Sequence, residues 1–200
     1  MKKTVLNVPN TLSLIRVLLV PVFVLTMLLM RDIEIWGLVV PSLVFVVTAF
    51  TDMLDGKIAR KYNLVTDFGK FIDPLADKFM ILGSQIAILA YLFLKGENTE
   101  AVVFMVLVLV ILLRELGVTS LRLVVAGNKG IVVAASMFGK IKTVSQMVGT
   151  LVIILEPLVL PFCSENHIAA YACMAIMGIT TVFSGIDYLK AYLPYIDSNK

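Results

Sequence analysis

Charge is scarce in this sequence. Of its two hundred residues, 16% are Asp, Glu, Lys or Arg, against roughly 25% in a soluble globular protein, and that shortfall excludes an ordinary water-facing surface. Cysteine and histidine are scarcer still. Cys163 and Cys173 are ten apart with no metal-ligand spacing, and the lone His167 has no Cys or His close by in sequence, so a zinc centre is not expected. There is no lysine-rich tail and no basic patch interleaved with aromatics, which argues against a nucleic-acid partner despite a formal charge of +3. Internal repeats and low-complexity segments are also absent.

Apolar residues fill the space instead, at 60% of the chain and a mean hydropathy of +0.98. At about 20 residues per span, the length allows six or seven transmembrane helices and no separate soluble domain. Residues 1–200 are therefore read as a single all-α integral membrane domain. Six spans are expected, at about 12–30, 37–61, 67–94, 101–125, 143–160 and 168–189. The first begins after Pro9, with Asn10 or Thr11 as its N-cap. It is too long for a signal peptide and shows no small-residue cleavage site, so it is read as a retained helix. Arg16, one turn inside it, has two readings: a side chain that snorkels to the headgroups, or one that grips an anionic ligand.

Trp36 reads as an interfacial anchor, and Tyr188, Tyr192 and Tyr195 with Lys190 as an interfacial end. With six spans the termini share a side. Only Arg31 and Lys95 flank the far turns, whereas Lys2, Lys3, Lys57, Arg60, Lys61, Lys70, Lys129, Lys140, Lys142, Lys190 and Lys200 fall on the side of the termini. Both ends are then expected in the cytoplasm, in a protein of the cell membrane.

One long stretch, from Thr51 to Asp77, would not be tolerated by lipid unassisted. Asp52, Asp55, Gly56, Ala59 and Arg60 share one helical face, and Gly69, Asp73 and Asp77 follow at steps of four. Asn63 to Thr66 is the expected break between the two helices. Four carboxylates in a confined place either take up protons or are held by a divalent cation, and an all-oxygen set favours Mg²⁺ or Mn²⁺. Two such ions suit a substrate that carries a pyrophosphate. Gly56, Ala59 and Gly69 leave helix backbones bare enough for a nucleotide to lie against, and Arg60 can hold a phosphate oxygen. Other readings compete residue by residue. Asp73 before Pro74 suits a helix N-cap, small residues at these steps also serve helix packing in membranes, and Asp52 or Asp55 can pair with Arg60.

Taken together, Asp52-x-x-Asp55-Gly56-x-x-Ala59-Arg60, eight intervening residues, then Gly69-x-x-x-Asp73-x-x-x-Asp77 resembles the signature of the CDP-alcohol phosphotransferases, with none of its eight positions missing. The resemblance implies a six-helix fold with the active site at the cytoplasmic edge of the second and third helices. It implies transfer of a substituted phosphate from a CDP-linked donor to an alcohol, with release of CMP. It further implies two metal ions on Asp52, Asp55, Asp73 and Asp77, Asp77 as candidate general base, and Thr51, Gly56, Ala59, Arg60 and Gly69 at the cytidine diphosphate. Family members commonly pair, so the resemblance also implies a homodimer.

Outside the signature, VPNTLSLIR, FGKFIDPLADK, RELGVTSLR and GKIKTVSQM are similar to the branch of the family that transfers a phosphatidyl group from CDP-diacylglycerol to sn-glycerol 3-phosphate. Such an acceptor needs cations, and Arg114, Arg122, Lys140 and Lys142 supply them. Arg114 and Arg122 lie about 80° apart around a helix, so both can face one pocket. Lys140 and Lys142 cannot share a face. Serine, inositol phosphate or phosphatidylglycerol would be the alternative acceptors. A cation transporter with the aspartates as its ion path is the reading from a different class.

Overall fold

The computed structural model describes residues 7–62, 66–129, 136–160 and 166–196, and within these says nothing of the side chains of residues 55, 57, 59–61, 128, 129 and 196. Six helices account for the described residues: α1 (Val8–Leu29), α2 (Trp36–Lys61), α3 (Asp67–Lys95), α4 (Asn98–Lys129), α5 (Met137–Val159) and α6 (Ile168–Ile196). Each contains a segment long and apolar enough to cross a membrane, as an integral membrane protein with six spans requires.

Four helix ends differ by four residues or more from the sequence expectation, and capping explains two of them. Asn7, rather than Asn10 or Thr11, caps α1, its side chain accepting from the Asn10 amide at 2.9 Å, with Pro9 in the first turn, where a missing N–H is harmless. Ser136 caps α5 by accepting from the Gly139 amide at 3.2 Å, so that helix starts six residues before the expected Thr143. α4 and α6 run past the ends expected from hydrophobicity, to Lys129 and Ile196. Polarity ends an apolar span without ending a helix. α2 shows the same separation, its sequence turning acidic at Asp52 and Asp55 while the helix continues to Lys61.

The helices pack as two groups of three. α1 packs on both α2 and α3, and α6 packs on both α4 and α5; α3 against α4 and α5, and α2 against α5, join the groups. α2 and α3 touch each other only slightly, so α1 is the wedge that sets their separation. One face of α1 is buried throughout: Asn10, Ser13, Arg16, Val20, Phe23 and Met27 recur at helical spacing. Its second half is apolar and enters the core. Phe23 meets Phe45 of α2 at 5.8 Å between ring centroids, and Met80, Ile88, Phe104, Ile111, Ile154 and Met177 continue the same cluster from α3 to α6. In lipid such packing, rather than escape from water, holds helices together, and small residues permit it. A Cβ on Gly83 would stand 2.6 Å from Val20 Cγ1, so α1 and α3 are in contact here because glycine occupies that position.

The end of the bundle remote from the acidic motif is closed by polar contacts. Glu156 accepts from the Ala169 and Ala170 amides at 2.8 and 3.0 Å, placing a carboxylate on the N-terminus of α6, where the helix dipole favours it. His167 stands 3.0 Å from Glu100 and 3.4 Å from Glu97. Asp32, in the turn before α2, reaches Lys95 at 3.5 Å.

Candidate active site

Thr66 starts the local order of the acidic site. Its hydroxyl caps α3 by accepting from the Gly69 amide at 3.0 Å, and it also accepts from Asn10 Nδ2 at 2.8 Å. Asp73 therefore lies well inside α3 and is not the N-cap that the Asp73–Pro74 pair suggests. From that cap, Gly69, Asp73 and Asp77 rise at one residue per turn, roughly, along α3. Across from them, α2 carries Thr51, Asp52, Asp55 and Gly56 in its second half.

Between the two acidic helices stands α1. Arg16 is fully buried, and its Nη1 contacts Asp52 at 2.8 Å and also Asp77. One turn earlier Ser13 donates to Asp73 at 2.6 Å. One turn earlier again, a Cβ on Gly69 would come to 2.7 Å from Asn10 Oδ1. Arg16 thus neither snorkels nor points outward: it is spent on two aspartates of the site. A guanidinium away from water is costly alone, and opposite carboxylates offset that cost. The sequence did carry a signal for this, since Asn10, Ser13 and Arg16 form a polar stripe at steps of three on an otherwise apolar helix.

The expected residues come together unevenly. Asp52, Asp73 and Asp77 meet at the polar half of α1, Asp52 and Asp77 with side chains 33% and 52% exposed, so the site is open on its α2–α3 side. Thr51 is half-buried and donates to the Thr48 carbonyl at 2.7 Å; Gly69 is buried against α1. Asp55, Ala59 and Arg60 lie on α2, but their side chains are outside the described ones, and so is any pairing of Arg60. The donor chemistry is all carboxylate oxygen, which fits a hard divalent cation. An oxygen held by Ser13 or Arg16 keeps lone pairs for a metal. Among the described residues no three acidic, His or Cys side chains already stand in metal-holding geometry, and Asp55 is missing from that set.

A second polar cluster lies across α3. Lys78, the residue after Asp77, turns about 100° around the helix and donates to Thr119 of α4. There Arg114 meets Glu115 at 2.8 Å and donates to Ser184 of α6 at 2.6 Å. Lys142 also contacts Glu115. The charges deep in α4 thus find partners, as their cost requires. Lys140 is exposed while Lys142 is buried, the split demanded by their spacing. Arg122 lies over the Tyr188 ring at 5.9 Å. Tyr188 and Tyr192 are buried in this cluster and do not form the interfacial end expected of them. Lys78 carries no signal in the sequence for this role, because nothing in sequence spacing shows which face of α3 meets α4.

Comparison with known proteins agrees with the acidic signature. Residues 6–185 match the family described as CDP-alcohol phosphatidyltransferase, and the chain belongs to that family. A Bacillus subtilis (strain 168) protein named CDP-diacylglycerol--glycerol-3-phosphate 3-phosphatidyltransferase is 38% identical over 193 residues, covering 92% of this chain and 94% of the relative. Proteins of the same name from Rickettsia felis and Yersinia pestis are 35% and 33% identical, over 94% and 93% of this chain and 97% and 94% of their own length.

Proposed function

We propose that this chain is an enzyme of phospholipid synthesis that transfers the phosphatidyl group of CDP-diacylglycerol to sn-glycerol 3-phosphate, giving phosphatidylglycerol phosphate and CMP. The observation that carries the reading is the near full-length similarity to relatives bearing that enzyme name, joined to an intact acidic signature on α2 and α3. In this reading the donor's acyl chains lie in the cytoplasmic leaflet, both termini are cytoplasmic, and the protein is a homodimer. Thr51, Gly56, Ala59, Arg60 and Gly69 contact the cytidine diphosphate.

Asp52, Asp55, Asp73 and Asp77 hold two Mg²⁺ or Mn²⁺ ions, which when bound neutralise the pyrophosphate and polarise the phosphorus under attack. The chain's own residues do the rest. α1 orients three of the aspartates through Ser13 and Arg16. Asp77 accepts the proton of the 1-hydroxyl of glycerol phosphate. That oxygen forms a bond to the β-phosphorus, and the bond from this phosphorus to the bridging oxygen breaks, the oxygen leaving with CMP. Arg114, Arg122, Lys140 and Lys142 hold the acceptor's phosphate, and Arg114 and Lys142 already meet a carboxylate in Glu115.

The test is release of labelled CMP from CDP-diacylglycerol by purified protein in detergent with Mg²⁺. Turnover is expected with glycerol 3-phosphate and not with serine, inositol phosphate or phosphatidylglycerol. Turnover with one of the others instead would keep the acidic site and overturn the acceptor.

A further inference from the structure

Arg114 and Arg122 are two helical turns apart, about 12 Å along the axis of α4, yet both guanidinium groups converge on one ring. Tyr188 of α6 lies 5.2 Å from the Arg114 guanidinium carbon and 5.9 Å from that of Arg122. Its hydroxyl also accepts from Arg122 Nη2 at 3.5 Å. The ring is itself fixed. It is 5% exposed, stacks on Tyr192 at 6.2 Å and 15°, and lies over the first turn of α5, where a Cβ on Gly139 would be 3.3 Å from its Cε2. The stem of Arg114 crosses α6 at Gly185, and its Nη2 donates to Ser184.

Two like charges brought to one ring repel each other, and the ring's quadrupole offsets only part of that. Among the described residues Glu115 is the one carboxylate at Arg114, and it is shared with Lys142, so the arrangement makes sense if a further anion completes it. Arg114 Nε is buried and has no hydrogen-bond partner among the described residues. Arg122, which meets the Tyr188 ring and hydroxyl rather than a carboxylate, keeps N–H donors for a phosphate. We propose that Tyr188 is a positioning residue that sets Arg114 and Arg122 for the phosphate of the acceptor. This rests on the acceptor reading given above. It adds a residue of the last helix to a site otherwise drawn from α4 and α5.

The test compares the wild type with Tyr188→Met, which keeps bulk without a π face, and Tyr188→Phe, which keeps the ring. KM for glycerol 3-phosphate, KM for CDP-diacylglycerol, kcat and inhibition by inorganic phosphate are measured for each. Tyr188→Met is expected to raise the glycerol 3-phosphate KM about 10-fold and to weaken phosphate inhibition in parallel, with the CDP-diacylglycerol KM within about twofold. Tyr188→Phe should restore most of the loss. An unchanged glycerol 3-phosphate KM in Tyr188→Met, or an equal rise in both KM values, overturns the role of Tyr188 alone. A wild type that does not use glycerol 3-phosphate overturns the acceptor reading itself. If Tyr188→Met does not assemble, Tyr188→Leu takes its place with the same outcomes.

Discussion

Arg16 of the first helix lies 2.8 Å from Asp52 of the second, and the same guanidinium nitrogen also contacts Asp77 of the third. The helix outside the acidic signature thus holds the two halves of the signature together. Removing the cation leaves carboxylates facing one another across the gap that α1 fills. Because Asp52 and Asp77 are partly open to solvent, the loss is set below that of a fully buried pair, at about 1–3 kcal/mol. Arg16→Gln is expected to lower the melting temperature in detergent and to cut turnover at least tenfold, with added Mg²⁺ recovering part of the melting temperature. An Arg16→Gln protein as stable and active as the wild type would remove α1 from the site.

Ser13 offers a finer probe, since its 2.6 Å contact to Asp73 can be deleted without moving a charge. A hydrogen bond to an ionised group contributes about 1.5–3 kcal/mol, and partners that orient metal ligands typically matter 10- to 100-fold in metal affinity. Ser13→Ala is therefore expected to raise the Mg²⁺ concentration for half-maximal turnover by about 10-fold, with little change in the maximum at saturating Mg²⁺. Ser13→Thr, which keeps the hydroxyl, should stay near the wild type.

Gly69 has two reasons to be glycine, and they make different predictions. A nucleotide contact predicts that Gly69→Ala harms the KM for CDP-diacylglycerol whatever residue 10 is. The 2.7 Å approach to Asn10 predicts a packing cost of about 1–3 kcal/mol that shrinks when Asn10 is also shortened. A double-mutant cycle of Gly69→Ala with Asn10→Ala, read by thermal stability, is expected to cost less than the two single changes added together. Additivity would leave the nucleotide as the reason.

Much of the fold was legible because two periodicities did not interfere with each other. Runs of apolar residues fixed the number of spans, and the steps of three and four from Asp52 to Asp77 fixed the site's helices. Of the break expected at Asn63 to Thr66, only Thr66 lies within the described residues. What spacing cannot show is which neighbour a face meets. Arg16 read as a surface or ligand-facing arginine because its partners are 36 and 61 residues away. Tyr188 read as a membrane-interface tyrosine because its arginines come from α4. The extra turns of α4, α5 and α6 were missed for a local reason: hydropathy marks where lipid ends, and a helix capped by Ser136 or closed by polar residues does not stop there.

Asp77 carries the heaviest chemical assignment, and Asn is the substitution that separates its parts. Asp77→Asn keeps an oxygen that can accept from Arg16, so the link between α1 and α3 survives while the negative charge and the proton-accepting carboxylate go. General-base contributions run to about 10²–10⁴ in rate, and one metal ligand is weakened as well. Turnover is therefore expected to fall by at least 10³-fold, while CDP-diacylglycerol binding, followed by protection of the purified protein against thermal unfolding, stays within a few-fold of the wild type. Loss of turnover and donor binding together would mean that Asp77 serves to hold the donor, and the proton would then have to go to another of the aspartates.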